Sequence, residues 1–213
     1  MRGFHGLYGV TDSQLQPDDR ILIETTEQAL MGGMKILQYR DKSLDTEKRM
    51  RQAGALKVLC HQYQAKLIIN DDVELALYVE ADGVHLGQKD KSLIDARDRL
   101  GDYAIIGISC GNSLKNAQTA VEQGADYIAL GKFYHSRTKP DTKNADLSIL
   151  TQARRMFDLP IAAIGGITLD NASDVISAGA DMVAVVNNLF AAQNILERSR
   201  SFTALFKESL ICV

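Results

Sequence analysis

Cysteine and proline are scarce in this sequence, with three of each among 213 residues. The cysteines, Cys60, Cys110 and Cys212, are widely spaced. They therefore form neither a disulfide framework nor a set of metal ligands. This usage favours a reducing compartment, and we expect a cytoplasmic protein. No proline lies inside a strongly periodic segment, and no low-complexity segment or linker divides the chain.

The sequence also lacks an excess of positive charge and any long apolar run. Its formal net charge is -3, which does not suggest a nucleic-acid binder. An anionic ligand would have to be attracted by a local cluster of basic residues rather than by the overall charge. No apolar run approaches the length of a membrane span, about 18 residues, and strand-like sequence follows the first six residues at once. We therefore expect no signal peptide and no membrane association.

Short apolar runs alternate with helical patterns eight times along the chain. The runs are typical of buried strands and lie at residues 7–11, 36–40, 67–69, 84–86, 104–108, 127–131, 161–164 and 182–186. A doubly wound open sheet would also alternate strands and helices, but it would not require eight nearly equal units. We therefore predict an α/β fold, a single (β/α)8 TIM barrel over residues 1–213.

A short phrase recurs before the even-numbered strands. It reads ADG at 81–83 and GAD at 124–126 and 179–181, with a weaker copy, GGM, at 32–34. Each phrase closes a predicted helix and opens a predicted strand. This recurrence suits a closed barrel built from paired strand–helix units.

Two acidic residues, Asp71 and Asp90, follow the third and fourth predicted strands. Neighbouring parallel strands lie about 4.8 Å apart, so both carboxylates would reach the same edge of the sheet. Two close carboxylates repel each other unless a cation or a shared proton relieves them, and Mg2+ prefers such oxygen ligands. One interpretation is a Mg2+ site between the two strand ends. The other is that these residues only cap the following helices.

Basic and amide side chains follow the second strand. Gln38 and Arg40 are two residues apart and therefore face the same side of the sheet, towards the mouth of the barrel. Arginine can bind a phosphate with two parallel hydrogen bonds, and Lys42 would add a point charge. A solvated charged loop is the alternative, against which the alternation of Gln38 and Arg40 argues.

Two further regions suit phosphate binding. The loop at 131–141, after the sixth strand, carries hydroxyls and cations, although a flexible surface loop would have a similar composition. Gly165 and Gly166 follow the seventh strand, and a polar turn at 186–188 follows the eighth, where barrels commonly bind phosphate. The glycines could instead serve a tight turn only. Two anion sites together indicate two phosphorylated substrates or one bisphosphate.

Seven motifs spread over nearly the whole chain resemble the thiamine phosphate synthase family. They are GLYGVTD at 6–12, QYRDK at 38–42, LIINDDVELAL at 67–77, ADGVHLGQKD at 81–90, TK at 138–139, AIGGI at 163–167 and GADMVAVVN at 179–187. The motifs are collinear with those of the family. Their combination is specific, although no single motif is.

The resemblance implies an enzyme that joins the two rings of thiamine, with Mg2+ as its cofactor. One substrate is 4-amino-5-hydroxymethyl-2-methylpyrimidine diphosphate, and the other is a thiazole carrying an ethyl phosphate. Pyrophosphate leaves first in the family, and the thiazole nitrogen then attacks the pyrimidine cation. The products are thiamine phosphate and pyrophosphate. Whether identical copies of the chain assemble stays open.

The resemblance also assigns roles to residues. It places Mg2+ at Asp71 and Asp90, and it implies that Arg40, Lys42, Ser109 and Lys139 are catalytic. The diphosphate contacts that it implies are Gln38, Arg40, Lys42, Asn70 and Lys139, with Ser109 near the pyrimidine. The thiazole phosphate site that it implies comprises Gly166, Val186 and Asn187, with Ser136 and Thr138 in the neighbouring loop.

Several positions depart from the family's commonest pattern. Asn187 stands where serine is usual, and Lys132 replaces a proline, which bears on thiazole affinity rather than on the reaction class. A related thiazole tautomerase, which binds thiazole phosphate without diphosphate chemistry, is the alternative function. It has no need of the two aspartates or of the diphosphate cations. A phosphosugar isomerase and a non-enzymatic protein of the same fold are the remaining alternatives.

Overall fold

The computed structural model describes residues 4–87, 92–135 and 145–208. Eight parallel strands pair in chain order, and the eighth pairs with the first, so the sheet closes into a barrel. The strands are β1 (Gly6–Val10), β2 (Ile36–Tyr39), β3 (Lys66–Asn70), β4 (Gly83–Leu86), β5 (Ile105–Gly111), β6 (Tyr127–Gly131), β7 (Ile161–Ile164) and β8 (Met182–Val185). The predicted (β/α)8 barrel is confirmed.

Helices connect the strands and cover the outside of the barrel. They are α1 (Asp19–Met31), α2 (Thr46–Gln62), α3 (Val73–Tyr78), α4 (Leu93–Leu100), α5 (Leu114–Glu122), α6 (Ser148–Met156), α7 (Leu169–Ser177), α8 (Asn187–Phe190) and α9 (Ile195–Glu208). Within the described ranges, no helix is both long enough and apolar enough to cross a membrane.

Alternation along each strand divides the buried side chains into two layers. In β3, Leu67 and Ile69 pack outwards against the helices, whereas Ile68 packs inside the barrel. All three side chains are almost fully buried. A strand with both faces buried reads as a continuous apolar run, which is why this segment shows no alternation of apolar and polar residues in the sequence.

The structure corrects two predictions near the mouth of the barrel. Strand β5 continues to Gly111 through an irregularity between Ser109 and Gly111, so Ser109 lies within the strand rather than after it. The polar turn predicted after β8 is instead the short helix α8, which begins at Asn187. Strands β6 and β7 have the predicted bounds, β5 ends three residues later than predicted, and the other strands differ from prediction by one residue at one or both ends.

Local side-chain chemistry starts two of the helices. Asp72 caps α3, because its Oδ1 accepts the Leu75 N–H at 2.9 Å. Ser92 caps α4 by accepting the Asp95 N–H at 3.1 Å. Gln123 is the C-cap of α5, and Gly124, which follows it, has a φ of +89°, which glycine adopts without strain.

The recurring phrase before the even strands has a structural cause. Asp82, which precedes β4, accepts the Leu67 N–H of β3 at 3.0 Å and pairs with two lysines, Lys57 and Lys66. Its carboxylate thus satisfies a strand N–H at the N-terminal end of the barrel and ties β3 to α2.

The same arrangement occurs in the other two copies. Asp126 accepts the Ile106 N–H of β5 at 2.8 Å and pairs with Arg97 of α4 at 2.6 Å. Asp181 accepts the Ile161 N–H of β7 at 2.8 Å and pairs with Arg154 of α6. The aspartate of the repeat therefore binds a backbone N–H and a basic side chain at the N-terminal end of three odd-numbered strands.

Candidate functional site

The C-terminal end of β2 carries a cation without a partner among the described residues. Arg40 follows the strand directly, and its N–H donates to Thr11 Oγ1 at 2.7 Å, which fixes the backbone to the end of β1. The Thr11 hydroxyl in turn donates to the Arg40 carbonyl at 3.3 Å. The Arg40 guanidinium has no hydrogen-bond or ion-pair partner among the described residues. A planar guanidinium in such a place suits a phosphate, which it can bind with two hydrogen bonds.

A carboxylate, an amide and an ammonium meet beside it. Asn70 ends β3, and its Nδ2 donates to Asp71 Oδ2 at 2.7 Å. The Lys42 ammonium pairs with the same oxygen. Three residues that the sequence predicted for one site, Lys42, Asn70 and Asp71, are thus in direct contact.

The backbone of Asp71 has an unusual conformation. Its φ is +61°, a left-handed value that costs most residues energy but that aspartate and asparagine tolerate better. The Asp71 N–H donates to the His85 carbonyl of β4 at 2.9 Å. On its other side, Asp72 caps α3 and accepts a hydrogen bond from Arg49 of α2 at 2.6 Å. These contacts hold the Asp71 carboxylate at the mouth of the barrel.

A chain of hydrogen bonds crosses the barrel interior below the mouth. Gln38, which is 5% exposed, donates through Nε2 to Tyr8 Oη at 2.7 Å. Tyr8 Oη lies 2.8 Å from Tyr127 Oη, which lies 2.9 Å from His85 Nδ1. Burial raises the pKa of Tyr8 to about 12 and the pKa of Tyr127 well above its ordinary value, so both hydroxyls stay protonated.

Sequence reasoning missed Tyr8, His85 and Tyr127. A usable indication was present, because Tyr8 and His85 are polar side chains inside otherwise apolar strands. Gly107 of β5 belongs with them, since a Cβ there would lie 1.9 Å from the Tyr127 ring. The glycine makes room for the tyrosine that completes the hydrogen-bond chain.

The glycine turn after β7 packs against the loop after β6. Gly165 and Gly166 have φ values of +103° and +67°, and a Cβ on Gly166 would lie 2.4 Å from the His135 carbonyl oxygen. The Tyr134 N–H donates to the Gly165 carbonyl at 3.0 Å. The glycines therefore allow the start of the β6 loop to approach the end of β7. Their role is thus larger than forming a tight turn.

The two thiols among the described residues, Cys60 and Cys110, are poorly suited to act as nucleophiles. Burial raises the pKa of Cys110, next to Ser109, to about 12, and it raises the pKa of Cys60 to the same value. Both side chains are buried and stay protonated at neutral pH.

Comparison with known proteins decides the family. The sequence profile described as thiamine monophosphate synthase matches residues 7–189, which is most of the chain. The chain belongs to the thiamine monophosphate synthase family. It is accordingly an enzyme of the transferase class.

Curated relatives and a solved structure agree with membership of the thiamine monophosphate synthase family. The chain is 51% identical over 203 residues to the thiamine-phosphate synthase of Marinobacter nauticus, covering 94% of this chain and 90% of that protein. It is 49% identical over 201 residues to the thiamine-phosphate synthase of Saccharophagus degradans, covering 94% and 93%. The thiamine phosphate pyrophosphorylase structure from Pyrococcus furiosus has a TM-score of 0.89 at 32% identity, covering 98% of each chain.

Several predicted residues of this family site lie outside the described residues. They are Asp90 of the predicted metal pair and three residues of the β6 loop, Ser136, Thr138 and Lys139. The described members at the mouth are Gln38, Arg40, Lys42, Asn70, Asp71, Ser109, Gly166, Val186 and Asn187. All of them stand at or just beyond the C-terminal ends of strands, the end at which barrel enzymes carry their active sites.

The donor set at Asp71 suits a hard divalent cation. Within residues 4–87, 92–135 and 145–208, no group of three or more His, Cys, Asp or Glu side chains could hold a metal ion. Mg2+, however, commonly takes only one or two protein carboxylates and completes its shell with water and substrate phosphate. The Asp71 carboxylate already attracts one cation, the Lys42 ammonium, so the chemistry of the site fits the predicted ion.

Proposed function

We propose that the chain condenses 4-amino-5-hydroxymethyl-2-methylpyrimidine diphosphate with a thiazole ethyl phosphate, giving thiamine phosphate and pyrophosphate. The observation that carries this proposal is the meeting of Arg40, Lys42 and Asp71 at adjacent strand ends, in a chain of this family. The two cations would bind the diphosphate, and the carboxylate would bind its metal ion.

The leaving group determines what the mouth of the barrel must do. The bond between the pyrimidine methylene carbon and the diphosphate oxygen breaks, and both electrons depart with pyrophosphate. Negative charge therefore grows on that oxygen, and fixed positive charges nearby lower the barrier. Arg40 and Lys42 supply such charges, and Lys139 would add a third. Mg2+ held by Asp71 and Asp90 would neutralise further charge on the diphosphate.

The interior hydrogen-bond chain suits the pyrimidine. An aminopyrimidine presents both donors and acceptors at its ring edge, and each needs a partner once it is removed from water. Gln38 has an amide donor and acceptor, and Tyr8 and His85 continue the polar chain below it. Ser109, at the end of β5, would contact the ring from the side. This polar floor orients the methylene carbon towards the mouth.

The thiazole phosphate would bind on the opposite side of the mouth. Gly166 has a left-handed backbone after β7, and the turn at Val186 and Asn187 follows β8, the usual region of a barrel phosphate site. Ser136 and Thr138 are the further residues that the family resemblance predicts on the thiazole side. The thiazole nitrogen then donates its electron pair to the pyrimidine methylene carbon, forming the new carbon–nitrogen bond.

One assay tests the function. The purified chain is incubated with pyrimidine diphosphate, thiazole phosphate and Mg2+, and thiamine phosphate is followed by chromatography. We expect thiamine phosphate and pyrophosphate in equal amounts. Isomerised thiazole phosphate without any thiamine phosphate would contradict the proposal and would support the tautomerase alternative.

A further inference from the structure

The Lys42 ammonium pairs with Asp71, the predicted metal ligand. We propose that Lys42 neutralises Asp71 in the metal-free protein, releases the carboxylate when a divalent cation binds, and then becomes the ammonium that binds the diphosphate. This inference rests on the proposed function and adds an order of events to it. The metal site and the diphosphate site would share one lysine that moves between them.

The Lys42 ammonium and a divalent metal ion would compete for one oxygen of Asp71. Asp71 Oδ2 accepts hydrogen bonds from both the Lys42 ammonium and Asn70 Nδ2. An ammonium hydrogen-bonded to that oxygen and a divalent ion coordinated by it would be adjacent positive charges, which repel each other strongly at such separation. Binding of the metal at Asp71 therefore requires Lys42 to leave.

The lysine is the mobile partner of the pair. Its side chain is 55% exposed, whereas that of Asp71 is 25% exposed. Asp71 is fixed by its N–H bond to the His85 carbonyl and by the Arg49–Asp72 pair that follows it. A long, flexible ammonium at the surface can swing, but the carboxylate cannot follow it without disrupting α3.

The exchange gives Lys42 opposite effects on two binding reactions. For the metal alone, Lys42 is a competitor, and removing it should strengthen binding. For the metal together with a diphosphate, Lys42 is a ligand of the anion, and removing it should weaken binding. A lysine that served only to bind phosphate, without contacting Asp71, would show only the second effect.

The test measures Mn2+ binding by electron paramagnetic resonance of the unbound ion, with the full chain and without substrate. We expect Lys42→Met to bind Mn2+ about two- to fivefold more tightly than the unaltered chain, the range that an exposed ion pair supplies. With inorganic pyrophosphate present, the same variant should bind the Mn2+–pyrophosphate complex about tenfold more weakly, because a charge-assisted hydrogen bond is lost.

Two further variants act as controls. Lys66→Met removes a lysine of matching exposure, 52%, whose aspartate partner lies at the N-terminal end of the barrel, and both affinities should stay unchanged. Lys42→Arg retains a cation that can pair with Asp71, so its affinity for Mn2+ alone should not exceed that of the unaltered chain. Circular dichroism confirms that each variant is folded.

The inference depends on whether Lys42→Met binds Mn2+ alone more tightly or more weakly than the unaltered chain. Equal or weaker Mn2+ binding by Lys42→Met, or failure of either protein to bind Mn2+, would overturn it. The synthase assay is independent of this outcome. Thiamine phosphate formation with unchanged Mn2+ affinity would reject the exchange alone, whereas absence of both product and bound Mn2+ would reject the proposed function as well.

Discussion

Asp71 and Asp82 are carboxylates at opposite ends of the same barrel, and their surroundings differ in kind. Asp82 accepts a strand N–H and pairs with Lys57 and Lys66, so its charge is balanced by the fold itself. Asp71 sits on a left-handed backbone and pairs with Lys42, an exposed lysine at the mouth. One end of the barrel uses aspartate to hold strands together, and the other holds it at the mouth.

The comparison extends to the arginines. At the N-terminal end, Arg97 and Arg154 each pair with the aspartate of a recurring phrase. At the mouth, the Arg40 guanidinium lacks a partner within the described ranges. The arginines at the N-terminal end are thus paired within the fold, whereas Arg40 has no such partner among the described residues. The same substitution at each end should therefore affect different properties.

The largest expected effect is on catalysis, from Asp71→Asn. Asparagine tolerates the left-handed backbone, so the substitution removes the charge and little else. We expect turnover to fall about 100- to 1000-fold, the range seen when one group that stabilises transition-state charge is removed, with an unfolding temperature within about 2 °C of the unaltered chain. Steady-state kinetics at several Mg2+ concentrations and thermal unfolding measure the two effects. Near-full activity at low Mg2+ would make Asp71 a purely structural residue.

The matched substitution at the other end, Asp82→Asn, should reverse this outcome. It leaves two lysines without their carboxylate, and we expect a loss of about 2 kcal/mol in the free energy of unfolding. Turnover per folded molecule should be unchanged, because the site is at the far end of the barrel. Urea unfolding and kinetics at a permissive temperature provide the measurements. A strong loss of turnover with normal stability would contradict the proposed difference between Asp82 and Asp71.

Arg40→Met should have the next largest effect. The guanidinium has no partner among the described residues, so stability should change by less than about 0.5 kcal/mol. We expect kcat/KM for the pyrimidine diphosphate to fall about tenfold or more, from the loss of charge-assisted hydrogen bonds to phosphate. Kinetics with each substrate varied in turn would show it, with Arg20→Met on α1, an exposed arginine of an i,i+4 pair, as the control. An equal loss in the control would remove Arg40 from the site.

The smallest effect is a dependence of stability on pH. Burial would raise the pKa of Asp82, but hydrogen bonds from Leu67, Lys66 and Lys57 outweigh it and hold the pKa below its ordinary value. A carboxyl with a lowered folded pKa stabilises fully above its unfolded pKa of about 3.9, and this contribution is lost as the pH falls through the folded value. The gap between the unaltered chain and Asp82→Asn should therefore narrow below about pH 4. Urea unfolding at pH 7 and pH 3.5 would measure it, and a constant gap would contradict the assignment.

Much of the fold and part of the site could be predicted from the sequence. Strands β6 and β7 follow apolar runs bounded by glycine, proline or aspartate, and such local patterns do not depend on distant residues. Arg40, Lys42 and Asp71 were predicted together, since the barrel brings the C-terminal ends of all strands to one face. The end of β5 was not predictable in this way, because the register irregularity at Ser109 depends on how β5 pairs with β6.

The alternation of strands and helices and the set of charged residues at the strand ends can be read from the sequence. Those properties follow from hydrophobic periodicity and from short-range capping. The contact of Tyr8 with Tyr127, 119 residues away, and the space that Gly107 leaves for it are visible only in the folded barrel. Which aspartates are balanced within the fold and which one is held towards the mouth is also visible only there, because that depends on where the lysines and arginines of other elements come to lie.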